Sequence, residues 1–314
     1  MNHWEIENAV HLGVALKESG FQVSQICCSR PSCFDFAARK DDMAILLKVS
    51  LDVDTFSLQC SRELKVIAGR FSAASLVISQ QTHGKPLEDD TVYSRKGVFV
   101  VTEKSIRNIA LQTANPLIYA GPGGYSVEVD GKLVEKRRKE LGLSIGKLAV
   151  MIGVSRRTLY GYERGMAKAS VSSAYKLAET LGVPVAKPVN VLKRTRKQRQ
   201  CLLMKAKRAI TGKALLQKVF RKFAFCDISP VYKAPFDFIM NTPNGKDPIV
   251  GIVAVNGESN LDKRTEEIIS VCDVIRARPV LITEKLRFFS KDVPCICLDD
   301  LSTIASAEAL INFA

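Results

Sequence analysis

Two adjacent arginines, Arg156 and Arg157, follow Ser155 at the start of a short stretch that ends at Glu163. Within it Leu159 and Tyr162 lie three apart, so on a helix they share one face and turn inward. Arg156, Arg157, Tyr160 and Gly161 are then left outward. An arginine at the start of a helix seated in the DNA major groove can donate two hydrogen bonds to guanine O6 and N7. Ser144, Lys147, Ser155, Thr158, Arg164 and Lys168 are placed around this stretch. Their hydroxyl, ammonium and guanidinium groups suit phosphate oxygens, which set register rather than sequence choice. Arg156, Arg157 and Tyr160 are therefore the candidate base contacts, and the other six are the candidate phosphate contacts.

These side chains need two helices and a tight turn to hold them. Ser144 can cap a helix running to about Ile152, with Leu148 and Ile152 on one face and Ala149 small enough for close approach. Gly153 ends that helix and suits a positive φ. Ser155 caps the next, over 156–163. Further helices over 133–141 and 171–181 frame the pair. The layout is that of a helix-turn-helix. It resembles the phage-repressor, Cro/XRE-type DNA-binding domain, in which GVSRRTLYGYERG corresponds to the recognition helix and its ending. Gly161 departs from the pattern, because that position often carries a polar, base-contacting side chain. The resemblance thus implies narrow readout resting on Arg156 and Arg157.

Two α/β copies flank this centre, about 200 residues apart. The first reads as a helix over 4–19, apolar 21–28, Phe34-Asp35-Phe36, a turn at 39–42 and a strand over 43–49. A helix over 61–71 and a strand over 74–79 complete it. The second reads as a helix near 206–220, a run over 223–228, Phe236-Asp237-Phe238, a turn over 241–247 and a strand over 249–255. A helix over 263–276 and a strand over 279–283 follow. Short apolar runs alternating with amphipathic helices indicate α/β units. The α-β-β-β-α-β order resembles the nuclease fold of restriction enzymes and Holliday-junction resolvases. The resemblance implies a first acid at Asp35 and Asp237, and a Glu-x-Lys on the next strand.

That second motif fails. Copy one reads Ile45-Leu46-Leu47-Lys48, with the lysine present and leucine in place of the acid. Copy two, read at Ile252-Val253-Ala254, has lost both. Glu63-Leu-Lys65 has the right letters on a helix pattern. A Mg²⁺ that activates water for phosphodiester attack needs more than one carboxylate. Asp35 therefore reads as a strand-end acid or a structural hydrogen-bond partner. No catalytic or metal-binding residue is assigned, and the protein is expected not to be an enzyme. A Mg²⁺-dependent nuclease with Asp35 and Lys48 as remnants of its site is the alternative.

Charge placement agrees with a polyanion as partner. The net charge is +14. Residues 132–168 carry ten Lys or Arg against three Glu, and 187–208 carry nine with no acid. A basic centre between near-neutral ends is an electrostatic footprint for nucleic acid. A third possibility, a nucleoid-type protein binding by charge alone, stays open on this ground. Nine cysteines without Cys-x-x-Cys, and only His3, His11 and His83, give no zinc pattern. Buried free thiols in a reducing cytoplasm are expected. No apolar run is long enough for a bilayer, and the N-terminus lacks a signal-peptide pattern. Neither Gly-x-Gly-x-x-Gly after a strand nor a Walker-type loop occurs, so no cofactor is expected.

The connectors complete the plan. Residues 117–129 read as a β-hairpin around Gly121-Pro-Gly-Gly124, either a wing against DNA or an interdomain brace. Lys193-Arg-Thr-Arg-Lys-Gln-Arg199 is a basic linker, solvated or adding phosphate contacts. The expected organisation is an N-terminal α/β domain (1–115) and a hairpin connector (116–131). An all-α helix-turn-helix domain (132–186), a basic linker (187–204) and a C-terminal α/β domain (205–314) follow. Tyr93-x-Arg95-x-Gly97, Tyr119-Ala, Gly123-Gly124-Tyr125, Gly153-Val-Ser-Arg-Arg157-Thr and Ala234-Pro-Phe-Asp237 run through most of the chain. On these the chain resembles the archaeal family of helix-turn-helix transcriptional regulators. The resemblance implies a cytoplasmic, sequence-specific regulator of double-stranded DNA, reading an inverted repeat as a homodimer, with no membrane partner and an unknown effector.

Overall fold

The computed structural model describes residues 3–193, 214–241, 247–254, 258–284, 293–304, 306 and 308–310. The chain divides into two compact units, Met1–Val77 with Leu192–Ala314, and Ile78–Val191. Among the described residues no helix is long and apolar enough to cross a membrane. The turn at 241–247 and the basic linker after Lys193 lie largely outside the described residues, as does the start of the helix expected near 206.

The first copy begins with α1 (His3–Glu18), β1 (Gln22–Val23), β2 (Phe36–Lys40) and β3 (Met43–Asp52). It continues with α2 (Leu58–Arg70) and β4 (Ala74–Thr82), in strand order β1-β2-β3-β4. The run expected over 21–28 is a strand only at Gln22–Val23, although Ser24 N–H and Cys27 N–H still donate to Ala37 O and Asp35 O at 2.9 and 2.7 Å. At its end Cys28 and the following Ser29 donate their backbone N–H groups to Glu267 of the second copy. Strand β3 is apolar on both faces, and Ile45, Leu46 and Leu47 are fully buried.

The second unit carries β5 (Lys85–Pro86), β6 (Thr91–Arg95), β7 (Val98–Val101), α3 (Glu103–Ala110), β8 (Ile118–Gly121) and β9 (Gly124–Val127). The helices α4 (Gly131–Glu140), α5 (Ile145–Ile152) and α6 (Arg156–Glu163), the short β10 (Ala169–Ser170) and α7 (Val171–Leu181) follow. Strands β8 and β9 form the expected antiparallel hairpin, closed at Gly121 and Gly124. The hairpin packs on the helices that follow it. Val127 and Val129 join the core of the helices beside Val134, Leu148, Leu159 and Leu177.

The second copy comprises α8 (Ala214–Lys222), β11 (Asp227–Pro230), β12 (Phe238–Asn241), β13 (Ile249–Ala254), α9 (Leu261–Ile275), β14 (Arg278–Thr283) and β15 (Cys295–Cys297). Its strand order is β11-β12-β13-β14-β15. The pairs β11–β12 and β12–β13 are antiparallel, and β13–β14 is parallel. The internal repeat is therefore real at the level of topology. Hydrogen bonds also align the copies residue by residue. Asp35 N–H donates to Leu47 O at 2.7 Å, and Asp237 N–H to Gly251 O at 2.8 Å. Lys48 thus corresponds to Ile252, and Leu46 to Val250. The Glu-x-Lys positions of copy two are Val250 and Ile252, two residues earlier than sequence spacing placed them, and both are apolar.

The two copies pack on each other within one unit, through reciprocal contacts. Helix α2 lies against β12, and α9 against β2. Glu63 of α2 accepts from the backbone N–H groups of Tyr232 and Lys233. Glu267 of α9 accepts from those of Cys28 and Ser29 at 2.8 and 2.7 Å. Phe34 and Phe236, each preceding its aspartate, meet with ring centroids 6.2 Å apart. Among the described cysteines Cys27, Cys33, Cys226 and Cys272 are buried, Cys28 is exposed, and all eight are free thiols.

Candidate nucleic-acid interface

Capping fixes where each helix of the second unit starts. Ser144 Oγ accepts from Lys147 N–H at 3.1 Å and starts α5. Gly153 ends α5 in the left-handed region at φ +74°. Ser155 Oγ accepts from Thr158 N–H at 3.0 Å and starts α6. Such caps contribute about 1 kcal/mol each. Leu159 and Tyr162 are buried and anchor α6, while Leu148, Ala149 and Ile152 anchor α5.

Helix α4 locks the end of α6 from behind. A Cβ on Gly131 would sit 2.3 Å from Glu163 O, so only glycine permits this approach. Arg138 and Glu163 form a buried two-pronged ion pair, at 2.6 and 3.0 Å. Arg138 also donates to Leu143 O at 2.9 Å. The bonds to Glu163 hold the guanidinium above its ordinary pKa. Sequence reading missed this pair. The one available signal was a glutamate closing an otherwise cationic helix, with arginines in the helix before the turn.

The expected contact residues are open to solvent. Ser144, Lys147, Ser155, Arg156, Arg157, Tyr160, Arg164 and Lys168 are exposed, and Thr158 is half-buried. The Ser155 and Thr158 hydroxyls lie 2.8 Å apart. Arg164 stacks over the Tyr160 ring at 5.4 Å, and Lys168 over Tyr119 of the hairpin at 3.8 Å. Tyr119 therefore holds the Lys168 ammonium, a role that its place in the sequence did not suggest. Arg156 and Arg157 flank a shallow depression of about 570 Å³, with Ser144, Ile145, Gly146 and Tyr160 completing its wall. The Arg156 guanidinium lies back against Gly146.

The aspartates of the α/β copies are engaged otherwise. Asp35 is buried, with Oδ1 2.6 Å from Lys48 Nζ and Oδ2 2.6 Å from Val49 N. Burial pushes its pKa up, against the opposing pull of Lys48. Asp237 meets Arg30 at 2.9 Å, Arg264 at 2.7 Å and Val253 N at 2.9 Å. Both oxygens of each carboxylate thus bond to groups of the chain itself. Leu46, at the second acid position, is fully buried.

Comparisons with known proteins follow the same division. The family model of the PD-(D/E)XK superfamily domain matches residues 7–116, and that of a helix-turn-helix matches residues 134–187. A protein of Natronomonas pharaonis is 33% identical over 282 residues, covering 88% of this chain and 87% of its own. One of Methanosarcina mazei is 30% identical over 310 residues, covering 95% of this chain and 93% of its own. Both carry the name "Putative HTH-type transcriptional regulatory protein". The crystal structure of the restriction-modification controller protein C.AhdI from Aeromonas hydrophila is 34% identical. It covers 17% of this chain and 80% of that chain, with a TM-score of 0.16.

Proposed function

The chain belongs to the archaeal family of HTH-type transcriptional regulatory proteins, and from that premise we propose that it reads a specific double-stranded DNA sequence, an inverted repeat bound by two copies of the chain. The observation that carries this reading is the exposed face of α6. It presents Arg157 and Tyr160 outward while Leu159 and Tyr162 hold the helix down. Ser144, Lys147, Ser155, Thr158, Arg164 and Lys168 supply the phosphate-facing rim.

Arg157→Ala is expected to cost about 1–3 kcal/mol on the preferred site and to relax preference at one base pair. Lys168→Ala should weaken preferred and random duplexes alike and lower the salt slope by about 0.9. Fluorescence anisotropy over a salt series measures both. Equal loss on both DNAs for Arg157→Ala would sink the base-reading role.

The α/β pair acts in this reading as a structural body rather than an enzyme. Asp35 and Asp237 are held by cations of the chain itself, and the second acid positions are Leu46 and Val250. The match to a PD-(D/E)XK domain makes nuclease activity the specific rival. One experiment addresses both: selection from a random duplex pool with Mg²⁺ present, with recovered strands examined for cuts. An uncut, enriched inverted repeat supports the dimeric regulator. Cut strands would favour the nuclease, and an absence of enrichment a charge-driven binder.

A further inference from the structure

The seat of Arg156 draws attention to a residue on the neighbouring helix. Gly146 is the second residue of α5, a place where helix propensity favours almost any other side chain. Its φ is not positive, so backbone conformation does not call for glycine. Space does. A methyl group there would lie 2.8 Å from Arg156 Nε and 3.1 Å from its Cζ and Nη2. The bare Cα lets the guanidinium of α6 lie against the start of α5.

In a helix-turn-helix the first helix crosses the sugar-phosphate backbone, and the second reads base edges. A guanidinium held on the first helix therefore faces phosphate, although Arg156 belongs to the second. Arg157, one residue on, lines the same depression, but the atoms nearest Gly146 are all of Arg156. We propose that Gly146 positions Arg156 as a phosphate clamp, leaving base readout to Arg157 and Tyr160. This deepens the DNA-binding reading above and rests on it. Gly146 is a positioning residue: it acts only through the side chain it admits.

The test compares the full-length protein with Gly146→Ala, Arg156→Ala and the double variant. Each is titrated with the selected duplex and with a random duplex over a salt series. Arg156→Ala should weaken both DNAs by a similar factor and lower the salt slope by about 0.9, the release of one phosphate's counterion. Gly146→Ala should weaken binding in the same uniform way, yet add little in the Arg156→Ala background. Its melting temperature should not fall. Alanine is the better helix former, and the group it displaces is the free end of a flexible side chain. That pattern separates positioning from a folding defect.

Relaxed preference at one base pair with an unchanged salt slope in Arg156→Ala would overturn the proposal. So would a Gly146→Ala effect of the same size in both backgrounds, or no effect in the wild type. If the wild-type chain selects no sequence, the regulator reading fails separately. The salt slopes on random duplex then still decide the clamp.

Discussion

Replacing Glu163 with alanine is expected to destabilise the helix-turn-helix unit by about 3–5 kcal/mol. The Arg138 and Glu163 side chains are only 8% and 4% exposed. Removing the carboxylate leaves a guanidinium away from water, with Leu143 O as a hydrogen-bond acceptor and only the more distant charge of Glu135 to oppose its own. The penalty is that of an uncompensated buried charge, which exceeds the net worth of the pair itself. Urea unfolding of the full chain measures it, followed by a signal from the helical unit. A loss below about 1 kcal/mol would mean that the pair is not what ties α4 to α6. The double change Arg138→Met with Glu163→Leu should recover most of the loss, because apolar groups of like volume can replace a buried ion pair. DNA affinity should track this stability, since Glu163 ends the helix that carries Arg157.

Asp237→Ala should cost the α/β unit a comparable amount, about 3–5 kcal/mol, for the same reason and with two cations instead of one. Arg264 is 4% exposed and Arg30 19%, and the two reach Asp237 from different parts of the chain. Val253 N–H would lose its acceptor as well, and an unsatisfied buried donor costs about 1–3 kcal/mol. Arg264 keeps Glu258, which limits the damage. Because Arg30 belongs to the first copy, the variant should loosen both copies together. Hydrogen exchange would register this as lost protection in β2 as well as β12. Protection lost from the second copy alone would show that Asp237 does not join the two. Mg²⁺ should leave the difference between wild type and variant unchanged, since the role assigned to this carboxylate is structural.

Much of the candidate interface was legible because its determinants are local. A serine cap acts on an N–H three residues ahead, and a glycine ends a helix through its own φ. A 3.6-residue period decides which side chains turn outward. The helices over 145–152 and 156–163 accordingly lie where Ser144, Gly153, Ser155 and the spacing of Leu159 and Tyr162 place them. The α-β-β-β-α-β order of each copy was legible on similar grounds, from apolar runs between amphipathic helices.

Tertiary structure alone decided everything that joins distant residues. The register of β13 was one such matter: Val250, Ile252 and Ala254 are all apolar, so a two-residue slide leaves the pattern unchanged. The bond from Asp237 N–H to Gly251 O and the pairing of Phe238 with Gly251 separate the alternatives. The pairing of the two copies was another, since Glu63, Glu267 and Arg30 are ordinary surface-type residues until their partners, some 170 to 240 positions away, are in place. The seat of Arg156 on Gly146 was a third. By itself the sequence determined the elements, the outward face of α6 and the basic charge of the centre, because short-range hydrogen bonding, periodicity and summed charge need no knowledge of the fold. Which carboxylate meets which cation, and which arginine leans on which helix, depends on close approach between distant segments, and that exists only once the chain has packed.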